Sequence, residues 1–296
     1  MPFLLSQHLL PPGSILKVAG LRGSSPALIS AQTAGPCCCI LPDEHQVLLF
    51  EQDLRLFTNA RILTYPGYEI PPYTPLSPDQ QTTAARLSTL YSLLENDTHF
   101  FLITSVEALM RRVMPGRVLR NAAELVIAGE DCDPGKLVDT LVQSGYEKVT
   151  LVQRMGDFSV RGGIIDVFPP PFPLDDGSLQ EGPVRLDFFG DTLDSLRVFN
   201  PMNQRSEKEI SEMTILPVTD ILFPSPHSSA CKGVLKTLKM SAESCKWDHF
   251  QTEQIGEHIA NARRFPGMEF FLPLFYSGTK HRPHLSLISS PLKPAW

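Results

Sequence analysis

The sequence predicts an α/β chain in which a helix-covered parallel-sheet domain is interrupted by a small α+β domain. Three observations carry this reading. Short β-forming runs alternate with segments of helical periodicity through the first third, as in parallel sheets with helices on both faces. A stretch from Gln153 to Ser206 combines three strand patterns, and within it Val184 to Phe189 has the period of two that marks a half-buried strand. The chain has 296 residues, 42% hydrophobic and 20% charged, which is ordinary globular composition with room for about two domains.

The elements follow in order. Residues 14–19 run into a glycine turn, Gly20 to Ala27, placed as the turn after a first strand would be. Residues 26–32 suit a short helix. The apolar run 37–41, which contains Cys37, Cys38 and Cys39, reads as a buried strand, with the cysteines as small core residues. Val47, Leu48, Leu54 and Phe57 recur at helical spacing over 44–57, and 62–65 is a second strand. A proline-rich loop from Ile70 to Asp79 leads into a helix over 80–95, where Leu87, Leu90, Tyr91 and Leu94 share a face. Residues 100–104 form another strand, and Ser105 with Glu107 caps a helix that runs to Pro115-Gly116.

The second segment opens at Glu124-Leu125-Val126-Ile127 and passes through a helix over 134–144 that Gly145 terminates. Then come Phe158 and Val160, followed by Ile164, Ile165, Val167 and Phe168, on either side of the turn Arg161-Gly162-Gly163. Val184, Leu186 and Phe188 alternate with Arg185, Asp187 and Phe189, which places the latter three on one face of a strand. Leu193, Leu196, Val198 and Phe199 supply the next strand. Beyond Pro217 the segments 234–240 and 247–264 read as helices, ahead of an aromatic-rich stretch over 265–276.

The formal net charge of −6 argues against the whole chain enclosing nucleic acid, which needs a basic footprint. Six cysteines lack CxxC or Cys/His spacing, so neither a zinc site nor a disulfide framework is expected. The amino-terminal MPFLLSQHLLPPGS has no basic region and is cut by Pro11-Pro12, so neither a signal peptide nor a membrane span is expected, and the location expected is cytoplasmic. Asp175-Asp176, and Asp191 with Asp194, stand without a nearby histidine base. His281-Arg282-Pro283-His284 is the densest histidine cluster, but it lies in an unpatterned tail and suggests no metal site.

A phosphate-binding loop reads GxxxxGK[ST], its glycines exposing backbone N–H groups and its lysine neutralising phosphate. Gly20-Leu21-Arg22-Gly23-Ser24-Ser25-Pro26-Ala27 lacks the lysine and places proline where an amide donor would help. Gly20, Gly23 and Ser24 therefore mark a degenerate nucleotide loop or a plain strand-to-helix turn. The first domain is read as a degenerate P-loop NTPase-like sheet that holds no cofactor.

The block from Gly156 to Pro169, the run Val184-Arg185-Leu186-Asp187-Phe188-Phe189-Gly190-Asp191, the run from Ser195 to Asn200 and the ending Gln204-Arg205-Ser206 together resemble the UvrB-homology module of bacterial transcription-repair coupling factors. Pro75-Leu76-Ser77-Pro78, Ser105-Val106-Glu107-Ala108-Leu109 and Phe265-Pro266-Gly267-Met268-Glu269 extend the resemblance over about 14–276. It implies a degenerate NTPase-like domain in two halves, 14–118 and 213–276, with a UvrA-interaction domain inserted at 119–212. It also implies a longer protein whose ATP-driven motor displaces RNA polymerase on DNA, with those partners and ATP engaged by regions this chain lacks. This chain is then the non-enzymatic part that recruits the repair protein UvrA.

By the same resemblance, Arg161, Arg185 and Phe189 are the UvrA-binding residues, with Arg197 and Arg205 as a basic rim. The residues themselves leave alternatives open. Phe189 could be core, Arg161 a solvated turn residue, and Arg185 the partner of Asp187 or Asp166 in an ordinary ion pair. The competing function is a fragment of a UvrB-like ATP-dependent enzyme that binds damaged DNA, which would need a phosphate-binding lysine near residue 25. The final stretch, SGTKHRPHLSLISSPLKPAW (277–296), departs from the family and reads as disordered or aberrant in origin.

Overall fold

Apolar periodicity sets the elements of the computed structural model, which describes residues 15–276 except 16, 34, 72–73, 96–99 and 174–178. The tail over 277–296 and its histidine cluster lie outside the described residues, as does the pair Asp175-Asp176. The chain divides into two compact units. The first takes the described residues up to Gly67 together with Ser92–Arg111, and the second takes Tyr68–Tyr91 and the described residues from Arg112 on.

In chain order the first elements are α1 (Ser25–Ser30), β1 (Cys37–Leu41), α2 (Glu44–Arg55), β2 (Arg61–Tyr65), α3 (Gln80–Leu94), β3 (Phe100–Ser105) and α4 (Val106–Met110). The three strands form a parallel sheet in the order β1-β3-β2, with Cys39 and Thr64 both opposite Ile103. Every residue of central β3 is buried, which explains its unbroken apolar reading, Phe100-Phe101-Leu102-Ile103. Ala27, Val47, Leu54, Phe101 and Ile103 make the core of the first unit. Asp43 caps α2, its carboxylate accepting from the Gln46 N–H at 2.8 Å, and Ser105 caps α4 by accepting from the Ala108 N–H at 3.0 Å.

Three expectations are corrected here. Residues 17–22 form no strand, because Val18 is exposed and no neighbouring strand pairs with them, so the glycine turn follows irregular chain. The helix capped by Ser105 stops at Met110, where Arg111 turns extended at ψ 144°. The cysteine strand is only half-buried, since β1 lies at the edge of its sheet.

The second unit continues with α5 (Gly116–Ala122), β4 (Glu124–Ile127), α6 (Pro134–Gln143), β5 (Glu147–Lys148), β6 (Asp157–Arg161), β7 (Ile164–Val167), β8 (Phe172–Pro173), β9 (Leu179–Gln180), β10 (Val184–Phe189), β11 (Thr192–Phe199), β12 (Ser206–Ile210) and β13 (Glu212–Ile215). A six-stranded sheet runs β12-β11-β10-β7-β6-β5, antiparallel except for the β5–β6 pair. The start and end of this region meet in a two-stranded ribbon, with Val126 on β4 opposite Met213 on β13. Asp133 caps α6 by accepting from the Gly135 and Lys136 N–H groups. Leu137 and Leu141 of that helix enter the core with Phe158, Ile165, Val167, Val184, Leu186, Leu196 and Val198.

Gly145 ends α6 at φ +99°, a conformation open to glycine, and the space a Cβ would fill is taken by the Arg264 guanidinium. Gly145→Ala is therefore expected to destabilise the chain by about 1.5 kcal/mol in urea unfolding. An unchanged midpoint would show that the turn relaxes.

The chain then forms α7 (Ser229–Cys245), α8 (His249–Ala260) and α9 (Leu272–Phe275), whose core is Val234, Leu238, Ile259 and Leu274. Nearer the sheet, the Tyr68 hydroxyl donates to the buried Asp220 carboxylate, and the Arg86 guanidinium lies 4.2 Å from the Tyr68 ring centroid. Burial pushes the Asp220 carboxyl above its ordinary pKa, against the opposing pull of Arg86 and Tyr68.

Candidate docking face on the six-stranded sheet

Strand alternation gives this sheet two unlike faces. One is the apolar core above; the other is polar because the same register aligns polar residues across five strands. Ser159 on β6 lies opposite Asp166 on β7, Asp166 opposite Arg185 on β10, Arg185 opposite Arg197 on β11, and Arg197 opposite Glu209 on β12. Arg161, Asp187 and Ser195 occupy the next row.

The centre of this face is Asp166, whose side chain has no exposed surface. Its Oδ1 accepts from Arg185 Nε at 2.7 Å, and its Oδ2 accepts from Arg185 Nη2 at 2.9 Å and Arg161 Nη2 at 2.5 Å. The contact with Arg185 is bidentate, the geometry that fixes a guanidinium plane best. Hydrogen bonding to Asp166 raises the Arg185 pKa further, outweighing burial. The Arg185 guanidinium also lies 4.9 Å from the Phe199 ring centroid. Two guanidiniums meet one carboxylate, so this cluster keeps one net positive charge. Asp187 is taken by Arg197 and accepts from the Ser195 hydroxyl at 3.3 Å.

Phe189 closes β10 with 84% of its surface exposed. Alternation along β10 sets Phe188, with Val184 and Leu186, against the core, its N–H donating to the Gly163 carbonyl at 2.8 Å, while the register shift falls on β11, where Asp194 is the extra residue. Phe189 thus sits at the same sheet end as the Arg161-Gly162-Gly163 turn, where half of the Arg161 side chain is open to solvent. Arg185 is more enclosed, with 18% of its side chain exposed.

Of the residues singled out in the sequence, Arg161, Arg185, Arg197 and Phe189 are brought onto this face, whereas Arg205 lies in the turn before β12, its N–H donating to Asn203. The open question about Arg185 resolves to Asp166. Sequence reasoning named Asp166 only as one of two ion-pair partners and did not single out Ser159, whose buried hydroxyl has no hydrogen-bond partner. The one signal available was a lone charge inside the β-forming run Ile164-Ile165-Asp166-Val167.

The glycine turn is a separate feature of the first unit. Gly20 and Gly23 have φ of +78° and +54°, the Ser24 hydroxyl donates to Asp53 at 2.9 Å, and the Arg22 N–H donates to the Ser25 hydroxyl at 2.8 Å. The hydroxyl of Ser24 and the amide of Arg22 are thus engaged within the protein. Among the described residues no group of three or more His, Cys, Asp or Glu side chains is placed to hold a metal ion, and no helix is long and apolar enough to cross a membrane.

Residues 126–220 match the UvrB interaction domain family, a span that contains the whole six-stranded sheet. The chain is 34% identical over 233 residues to the transcription-repair-coupling factor of Myxococcus xanthus, covering 75% of this chain and 19% of that protein. It is 33% identical over 256 residues to that of Escherichia coli (85% and 20%) and 28% identical over 271 residues to that of Bacillus subtilis (88% and 22%). The chain spans about a fifth of the length of these relatives. With the register and domain described above, these matches show that the chain belongs to the transcription-repair-coupling factor family, as an amino-terminal module carrying a UvrB interaction domain.

Proposed function

We propose that the polar face of the six-stranded sheet binds UvrA, and that the chain is the non-catalytic part of a coupling factor that recruits UvrA for transcription-coupled nucleotide excision repair. The observation that carries this is an aromatic side chain, Phe189, left 84% exposed beside guanidiniums already held in place by a buried carboxylate. Exposed aromatics and arginines are the residue types that dominate binding energy at interfaces, and preset side chains lose less entropy on docking. Arg161, with half of its side chain open to solvent, offers a cation to an acidic side chain on the partner.

In this reading 119–212 is the UvrA-interaction domain, inserted between 14–118 and 213–276 as two halves of a degenerate P-loop NTPase-like domain. ATP hydrolysis and the contacts with RNA polymerase and DNA belong to the parts of the relatives outside the matched span, and the site of action is the cytoplasm.

Calorimetric titration of purified UvrA into this chain tests the reading. Arg185→Ala is expected to weaken binding about ten-fold, by breaking the bidentate contact and removing one cation from the face. Undiminished binding by Arg161→Ala, Arg185→Ala and Phe189→Ala alike would remove the site. A parallel ATP titration separates the competing reading, since saturable ATP binding would favour a UvrB-like nucleotide enzyme.

A further inference from the structure

Two motifs of the family resemblance, at 75–78 and 265–269, take no part in the proposed docking face, yet the fold of the second unit brings them together. The Ser77 hydroxyl donates to Glu269 Oε2 at 3.1 Å and accepts from the Gly267 N–H at 3.3 Å. Gly267 has φ +78°, and a Cβ on it would stand 2.9 Å from the Thr74 carbonyl oxygen, so the two segments meet as closely as glycine permits. Both line a cleft of about 680 Å³, to which α6 contributes Val142 and the turn after it Gly145. That volume is ordinary for a small-molecule site.

Long cationic side chains usually carry their charged ends out to water. The Arg264 guanidinium instead turns back into the cleft, its Nη2 filling the space beside Gly145 that a Cβ would take. Among the described residues it has neither a hydrogen bond nor an ion pair. Burial lowers its pKa, and Glu269 and Glu147, out of contact with it, restore only part of the loss. An anion in the cleft would supply the acceptors this cation lacks. The two nearby carboxylates disfavour a doubly charged phosphate, whereas a carboxylate brings one charge and two coplanar oxygens that match the guanidinium fork. Glu269 opposes it weakly, because burial raises its pKa and Ser77 occupies one of its oxygens. The remaining surface is largely apolar: Leu76 and Val142, each 57% exposed, with Val218 and Phe265.

We propose that this cleft binds a small monocarboxylic acid with an apolar body, its carboxylate paired with the Arg264 guanidinium and its hydrocarbon part resting on Leu76, Val142 and Phe265. The site is separate from the sheet face and does not depend on UvrA binding there.

The test titrates phenylbutyrate into the native chain by ligand-observed NMR, with phenylbutanol, acetate and inorganic phosphate as comparisons. Phenylbutyrate is expected to saturate with a Kd of about 1 mM or lower, a modest efficiency for a ligand of its size. Each comparison compound should bind at least about ten-fold more weakly, the alcohol for want of charge and the two small anions for want of an apolar body. Arg264→Gln should weaken the acid about ten-fold and leave the alcohol unchanged, and Arg264→Lys should lose less, since it keeps the charge without the fork. Leu76→Asp changes an exposed position, so folding is not at stake, and should weaken the acid about five-fold by placing a like charge at the cleft. Equal binding of acid and alcohol, or binding of acetate or phosphate as tight as that of phenylbutyrate, would overturn the proposal. So would undiminished binding by both Arg264→Gln and Leu76→Asp, or no saturation by the wild type up to about 10 mM.

Discussion

Replacing Asp166 with alanine is expected to destabilise the second unit by about 3 kcal/mol, read as a fall in the urea midpoint at unchanged slope. The carboxylate has no exposed surface and accepts three hydrogen bonds, two from Arg185 and one from Arg161. Truncation leaves two guanidiniums side by side without their shared counter-charge, with Arg197 directly across the strand pair from Arg185. The value sits at the lower end of the range for broken buried pairs because Arg161 is half exposed and turns to water. Asp166→Asn keeps the volume and one acceptor oxygen, so its cost is expected to be about half as large. Both variants should also lose UvrA binding, since Arg161 and Arg185 are no longer held in the docking arrangement. A change under about 0.5 kcal/mol for the alanine variant, the scatter of ordinary surface substitutions, would show that Asp166 does not anchor the face.

The same residue marks where the sequence stops being legible. The strand patterns between Phe158 and Phe199 can be read directly, because one face is buried and apolar residues recur on it, as at Val184, Leu186 and Phe188. Helices over 44–57 and 80–95 are legible too through their apolar spacing, and that over 134–144 through the glycine that ends it. Which carboxylate meets Arg185 depends instead on the register between β7 and β10, and no local signal states it. The ribbon of β4 with β13 is hidden for the same reason, as it joins residues far apart in the chain. β12 escapes notice because Glu207-Lys208-Glu209 lacks an apolar side, as suits an edge strand. The strand expected before Gly20 fails in the opposite way, since β-forming residues without a partner strand make none. Family resemblance is what proposes Arg161, Arg185 and Phe189 as UvrA-binding residues, whereas the arrangement of the two arginines around Asp166 required the fold.

Phe189 offers the cleanest separation of binding from folding. Phe189→Ala is expected to weaken UvrA binding by about 2 kcal/mol, roughly 30-fold in Kd, while moving stability by less than about 0.5 kcal/mol. The ring is 84% exposed, so its removal takes little from the folded state. On docking it would bury a large apolar surface at small entropic cost, since only two side-chain torsions become fixed. Its neighbour reverses both expectations. Phe188 packs against the core, so Phe188→Ala should lower stability by about 2 kcal/mol, a discounted value for a partly buried ring. Alternation along β10 is what assigns the two adjacent rings to their different environments. Titration of UvrA against both variants, paired with urea unfolding, checks the contrast. If Phe189→Ala bound UvrA as tightly as the wild type while Phe188→Ala weakened binding only in proportion to its unfolded fraction, the exposed ring would have no part in docking, and the contact would lie elsewhere on the domain.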